Sequence, residues 1–145
     1  MSQSAGDAAA VRHVAGRLGL REGQVVQELG YDDDCDEELR RSVEALTGSS
    51  LVDEEYDDVV DAVLLWWRED DGDLFDALTD AITSLGEDGV VWLLVPKSGR
   101  PGHVEPGDVT EVAPTAGLQQ TSSVSAAKDW SGIRLVSPKT ARSRR

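Results

Sequence analysis

The sequence is poor in the residues that usually announce chemistry. Its 145 residues include one cysteine, two histidines, one methionine and one phenylalanine. A lone cysteine, Cys35, excludes an internal disulfide and a cysteine-based zinc site. His13 and His103 stand far apart, and neither adjoins a nucleophile in a recognisable motif. There is no Gly-x-Ser-x-Gly elbow for acyl transfer and no Walker-type phosphate loop. No apolar run approaches the ~18 residues that span a bilayer, so no membrane association is expected. Met1 to Ala10 has neither the basic start nor the apolar centre of a signal peptide. A cytoplasmic protein is therefore expected.

Basic residues are also scarce, 14 against 28 acidic ones, for a net charge of −14. The imbalance is local. Residues 28–88 hold 22 acids and 3 bases, whereas residues 89–145 hold 4 acids and 8 bases. Such an acidic block repels nucleic acid. It attracts a basic protein surface or cations, or it serves solubility alone.

What is present is a strong strand. Val90-Val-Trp-Leu-Leu-Val95 is an unbroken apolar run bounded by Gly89 and Pro96. A run without alternation suits a strand covered on both faces, as in a parallel sheet. Pro96 lacks an N–H donor and stops the ladder. Lys97 then falls just past the carboxyl end, the edge where open α/β sheets bind ligands.

The rest of the chain can be read around that strand. Residues 1–10 read as a disordered tail. Ala8 to Leu18 carries Val11, Val14 and Leu18 at helical spacing. Val25 to Leu29 reads as a strand ending at Gly30. Asp34 or Asp36 caps a helix whose inner face is Leu39, Val43 and Leu46, and Gly48 ends it. Leu51-Val52 reads as a brief second strand, followed by Asp53 and Glu54. Ala62 to Trp67 reads as a buried strand that sends Trp66 and Trp67 to opposite faces. Phe75, Leu78, Ile82 and Leu85 fit one helical stripe, closed by Gly86. After a loop at residues 98–107, Asp108 caps a helix to Ala116, with Pro114 inside and Gly117 beyond. Gln119 to Ala126 and Ile133 to Val136 form an antiparallel pair at the sheet edge, around a turn at residues 128–132 that holds Trp130. Residues 138–145 are a basic tail. The expected fold is one α/β domain over residues 11–137, a mostly parallel sheet with helices on both faces and a C-terminal antiparallel hairpin.

Several stretches together resemble a known family. Leu18-Gly-Leu-Arg-Glu-Gly-Gln-Val-Val-Gln-Glu-Leu-Gly30, Val90 to Lys97, Ala116-Gly-Leu118 and Trp130-Ser-Gly-Ile-Arg-Leu-Val136 are similar to the bacterial family called domain of unknown function 3052, in its acidic actinobacterial form. The resemblance spans Leu18 to Lys139 and implies no particular activity. The layout also resembles the Rossmann-like three-layer fold of S-adenosylmethionine-dependent methyltransferases, whose first strand ends in an acid-x-Gly-x-Gly-x-Gly loop. Glu28 and Gly30 match the first acid and the first glycine, and Asp53 or Glu54 stands where an acid holds the ribose. Asp32 and Asp34 stand where the second and third glycines belong. Their side chains obstruct close approach of a ligand to the backbone, so no cofactor is expected.

The sheet so arranged brings Glu28, Gly30, Tyr31, Asp32, Asp33, Asp34, Trp67 with Arg68, and Lys97 to one carboxyl edge. An aspartate cluster facing a lysine beside tryptophan suits a cation, a zwitterion or a basic peptide, unless Lys97 simply neutralises the aspartates. Tyr31-Asp-Asp-Asp-Cys-Asp36 resembles a hard-cation loop but lacks the calcium-loop spacing, so no metal ligand is assigned. Trp66 and Trp92 suit the core, and Trp130 an interface or a lid over the sheet edge. Three functions stay open. One is a non-catalytic interaction module that docks a basic partner through the acidic 28–88 region. The others are a methyltransferase-like protein binding an S-adenosylmethionine-type molecule, and a divalent-cation-binding protein.

Overall fold

A computed structural model describes residue 16 and residues 18–137. Apart from residues 16 and 18, the expected helix at residues 8–18 lies outside the described residues, as do both tails. The element order is β1 (Val26–Leu29), α1 (Glu37–Thr47), β2 (Val60–Trp66), a 3₁₀ turn (Glu69–Asp71), α2 (Leu74–Ala81), β3 (Leu85–Pro96), α3 (Pro106–Thr115), β4 (Gln119–Ser125) and β5 (Trp130–Val136). They build one five-stranded sheet ordered β1-β2-β3-β5-β4. The first three strands are parallel, and β5 enters antiparallel to β3 with β4 outside it. The mixed α/β architecture is the one expected.

Local chemistry sets the helix ends. Asp36 Oδ1 accepts from the Leu39 N–H at 2.8 Å, while Glu37 and Glu38 occupy the electropositive first turn of α1. Gly48 closes it in the left-handed region, φ +83°, with its N–H on the Glu44 carbonyl. Leu39 and Val43, four residues apart, are both fully buried against the sheet. They share one core with Leu18, Leu20, Leu64, Trp66 and Trp92. On the opposite face α2 and α3 bring Leu78, Val109 and Ala113 onto Val63, Leu65, Trp67 and Leu93. Trp66 and Trp67 therefore do face opposite ways, and Trp92 is core.

The path of the chain around β1 matters most for function. After α1 the chain returns as a single parallel bridge, Gln27 to Val52, on one side of β1. It then crosses to the other side, where β2 pairs Val26 with Ala62. The winding direction thus reverses at β1, and its carboxyl end is the switch point where such sheets hold ligands.

Several boundaries differ from expectation. Leu51-Val52 is not a strand but that one bridge, because Gly48, Ser49 and Ser50 consume the approach. The stripe through Ile82 and Leu85 breaks at Ala81. Leu85 pairs across with Val60 and begins β3, and Gly86 and Gly89 lie within the strand rather than at its start. A bulge between Val60 and Ala62 absorbs the extra residues. Helix α3 is capped at Glu105, not Asp108, because Pro106 presets the first helical position. Pro114 sits in the last turn, so the one backbone bond it removes, to the Thr110 carbonyl, falls where the helix is already ending. The strand β5 begins at Trp130, so Trp130 is a buried strand residue rather than a turn or lid residue.

Gly30 has the strictest requirement. Its φ is +79°, and a Cβ there would stand 2.3 Å from the Trp66 carbonyl oxygen. Gly117 has a similar φ of +85° with open space around it. Gly117→Ala is expected to cost about 1 kcal/mol for backbone strain alone. Gly30→Ala must also part β1 from β2, and should lose several times as much in urea unfolding. Equal losses would show that the close approach is not a constraint.

Candidate functional site

The loop after β1 is held by one side chain from the neighbouring strand end, Arg68. Its Nη1 donates to the Gly30 carbonyl at 2.9 Å and to Asp71 Oδ2 at 3.1 Å. Its Nε donates to Asp34 Oδ2 at 3.0 Å while Nη2 meets Asp34 Oδ1 and the Cys35 sulfur. The guanidinium also lies 5.2 Å from the ring centre of Trp130. Trp130 Nε1 in turn donates to the Asp34 carbonyl, and its ring stands edge-on to Trp66 at 4.8 Å. The Arg68 bonds hold the Asp34 carboxyl below its ordinary value. Burial pushes the Cys35 thiol up to about 11.

A second clamp holds the first acid. Glu28, 7% exposed, receives a fork from Arg40, with Nε–Oε2 at 2.6 Å and Nη2–Oε1 at 2.8 Å. Trp66 Nε1 adds a third bond at 2.9 Å. Both carboxylate oxygens of Glu28 are thus engaged within the protein. Arg40 also meets Glu37 and stacks over Tyr31, whose hydroxyl donates to Glu37.

The expected constellation is therefore partly assembled. Glu28, Gly30, Tyr31, Asp32, Asp33 and Asp34 do cluster beyond β1. Lys97 does not join them and does not neutralise them. Its Nζ donates to Ser125 Oγ at 2.6 Å, on the hairpin side. Trp67 packs on the α2–α3 face, away from Asp34. The aspartates have separate tasks. Asp32 accepts from the Asp33 N–H, Asp34 holds Arg68, and Asp36 caps α1. Among the described residues no three His, Cys, Asp or Glu side chains gather as a metal site.

Beside the clamped loop an open cleft of about 900 Å³ lies between β1, the Leu51–Glu54 segment and α2. Gln27, Glu28, Asp53, Glu54, Leu65 and Asp80 are among its walls. Gln27 and Asp80 were not foreseen. The signal for Gln27 was there, as a polar side chain inside an apolar strand. Asp80 is visible only once α2 is placed against β1.

The fold defines a class, the Rossmann-like α/β fold also found in S-adenosylmethionine-dependent methyltransferases. The chain resembles a SAM-dependent methyltransferase of Aquifex aeolicus with a TM-score of 0.58 and 14% identity, over 86% of this chain and 88% of that one. The glycopeptide N-methyltransferase MtfA gives 0.57 and 12%, over 91% and 90%. A TehB-like methyltransferase of Corynebacterium glutamicum gives 0.52 and 14%, over 88% and 86%. At such identities the likeness is one of fold. The chain itself belongs to the family described as protein of unknown function DUF3052, whose model matches residues 15–139. An uncharacterized protein of Mycobacterium tuberculosis is 52% identical over 126 residues, 87% of this chain and 79% of its own length. One of Mycobacterium bovis matches equally.

The clamp makes two measurable claims. The lowered Asp34 carboxyl adds stability that is present above its ordinary value of 3.8 and lost as pH falls through its folded value. The stability gap between the wild type and Arg68→Gln should therefore narrow below about pH 4. A gap constant down to pH 2 would place the ion pair outside the stability balance. Raising a thiol from 9.0 to about 11 cuts its thiolate fraction at pH 8 about 100-fold. Alkylation of native Cys35 should be slower than in urea by at least that factor. Equal native and unfolded rates would show an open loop.

Proposed function

We propose that this protein is a non-catalytic α/β module of the cytoplasm that docks a basic protein partner through its acidic 28–88 region. The observation that carries the reading is how the internal cations are spent. Arg40 and Arg68 are committed to the two clamps beyond β1. Asp53, Glu54 and Asp80 in the cleft meet no basic side chain among the described residues. An acid surplus left uncompensated at a concave surface favours a cationic partner through long-range attraction and complementarity.

The cleft at the switch point and the methyltransferase-like fold favour a second reading, a site for an S-adenosylmethionine-type molecule. Against it stand Glu28, fully engaged by Arg40 and Trp66, and Asp32 and Asp34 in place of glycines. No helix among the described residues is long and apolar enough to cross a membrane.

Two measurements separate the readings. Thermal unfolding with millimolar S-adenosylmethionine or S-adenosylhomocysteine is expected to show no shift. A ligand at ~100 times its Kd would add about 2.7 kcal/mol and raise the melting point by several degrees. A basic peptide should bind at low salt and weaken at least about tenfold between 50 and 300 mM salt. Lysine substitutions at exposed Asp32 and Asp33 should weaken it further. Tight nucleoside binding with no peptide binding would reverse the assignment.

A further inference from the structure

The cleft holds one group that the docking reading does not use. Gln27 is only 4% exposed. Its Nε2 donates to the Asp53 carbonyl at 2.9 Å and, more weakly, to the Tyr56 carbonyl at 3.5 Å. Both acceptors are backbone oxygens, so the amide can point only one way. Its Oε1 therefore faces away from them. Among the described residues no donor bonds that oxygen, yet no buried side-chain oxygen or nitrogen there is sealed off without a partner. Oε1 thus keeps access to the cleft that Gln27 lines. A nearly buried carbonyl oxygen without a donor is a place prepared for an N–H from outside.

The surroundings narrow what brings that N–H. Asp53, Glu54 and Asp80 contribute carboxylates that pair with no basic side chain among the described residues, Arg40 on the same wall is already held by Glu28 and Glu37, and Leu65 and Ala77 contribute apolar wall. A planar guanidinium offers five donors in a fixed fork, enough for one amide oxygen and a carboxylate together. It is weakly hydrated, and its methylene stem and flat face suit apolar wall. An ammonium is compact and strongly hydrated, and gains less from the same cleft. The volume also admits the peptide that bears the side chain.

We propose that the cleft beside β1 is the receptor for an arginine side chain of the basic partner, with Gln27 Oε1 as the deep acceptor and Asp80 and the Asp53–Glu54 pair as flanking anions. This deepens the docking reading of the preceding subsection and rests on it.

The test uses the full chain and two acetylated peptides of equal length and charge, one built on arginine and one on lysine. Affinities are measured at low salt, and the Gln27 side-chain amide is followed by NMR. The arginine peptide is expected to bind about tenfold more tightly and to shift the Gln27 amide. Gln27→Met should abolish that preference, so that the two peptides bind equally. Asp80 is exposed on α2, so Asp80→Asn keeps the fold and should also lower arginine-peptide affinity. Equal affinities, unmoved by either variant, would overturn the cleft assignment and leave the docking reading standing. If neither peptide binds, the docking reading fails, and N-acetyl-arginine amide then decides the cleft. A Gln27 shift supports the guanidinium site, and no shift overturns it. Displacement of the peptide by S-adenosylmethionine would assign the cleft to the nucleoside and overturn the proposal.

Discussion

The guanidinium of Arg68 is the constraint on which the carboxyl edge of this sheet depends. It joins the loop after β1, the turn after β2 and the first ring of β5 in one hydrogen-bonded knot. Without it the Asp34 carboxylate loses its counter-ion and the Gly30 carbonyl its donor. An arginine suits the position because one planar group must satisfy a carbonyl, two carboxylates and a thiol while lying over an indole. A lysine offers a point charge and could not span them.

The clamps also fill the loop that follows the first strand of a sheet of methyltransferase type. In that fold a glycine-lined loop lets a ligand approach the backbone, whereas here protein side chains occupy the same ground. Gly30 is retained for a different reason, the contact with the Trp66 carbonyl that lets β1 and β2 lie close. Glu28 is likewise kept at the strand end but turned inward to Arg40 and Trp66. The motif survives in sequence while its groups serve the interior.

Much of this was legible in the chain. The Asp36 cap and the Gly48 stop are signals confined to one helix end, and they held. The alternation of Trp66 and Trp67 follows from strand geometry alone. The helical stripe through Leu78 and Ile82 misled at Leu85, because pairing with Val60 outweighed a local period. Lys97 was set opposite the aspartates by its strand end, but the insertion of β5 beside β3 draws it to Ser125 instead. Arg68 stood in the expected crevice, but nothing in its neighbours in sequence announced which groups it would hold. Gln27 and Asp80 meet only through tertiary packing.

The division of charge along the chain becomes a division in space. Residues 28–88, with 22 acids and 3 bases, build β1, β2 and the helices between and after them. Residues 89–137, with 4 acids and 4 bases, build most of β3 and all of β5 and β4 on the other side. The molecule is thus an electric dipole lying across its own sheet, with the negative end at β1. In the field of a cationic surface it experiences a torque before any contact is made. Such a torque would bring the β1 edge forward and the hairpin behind.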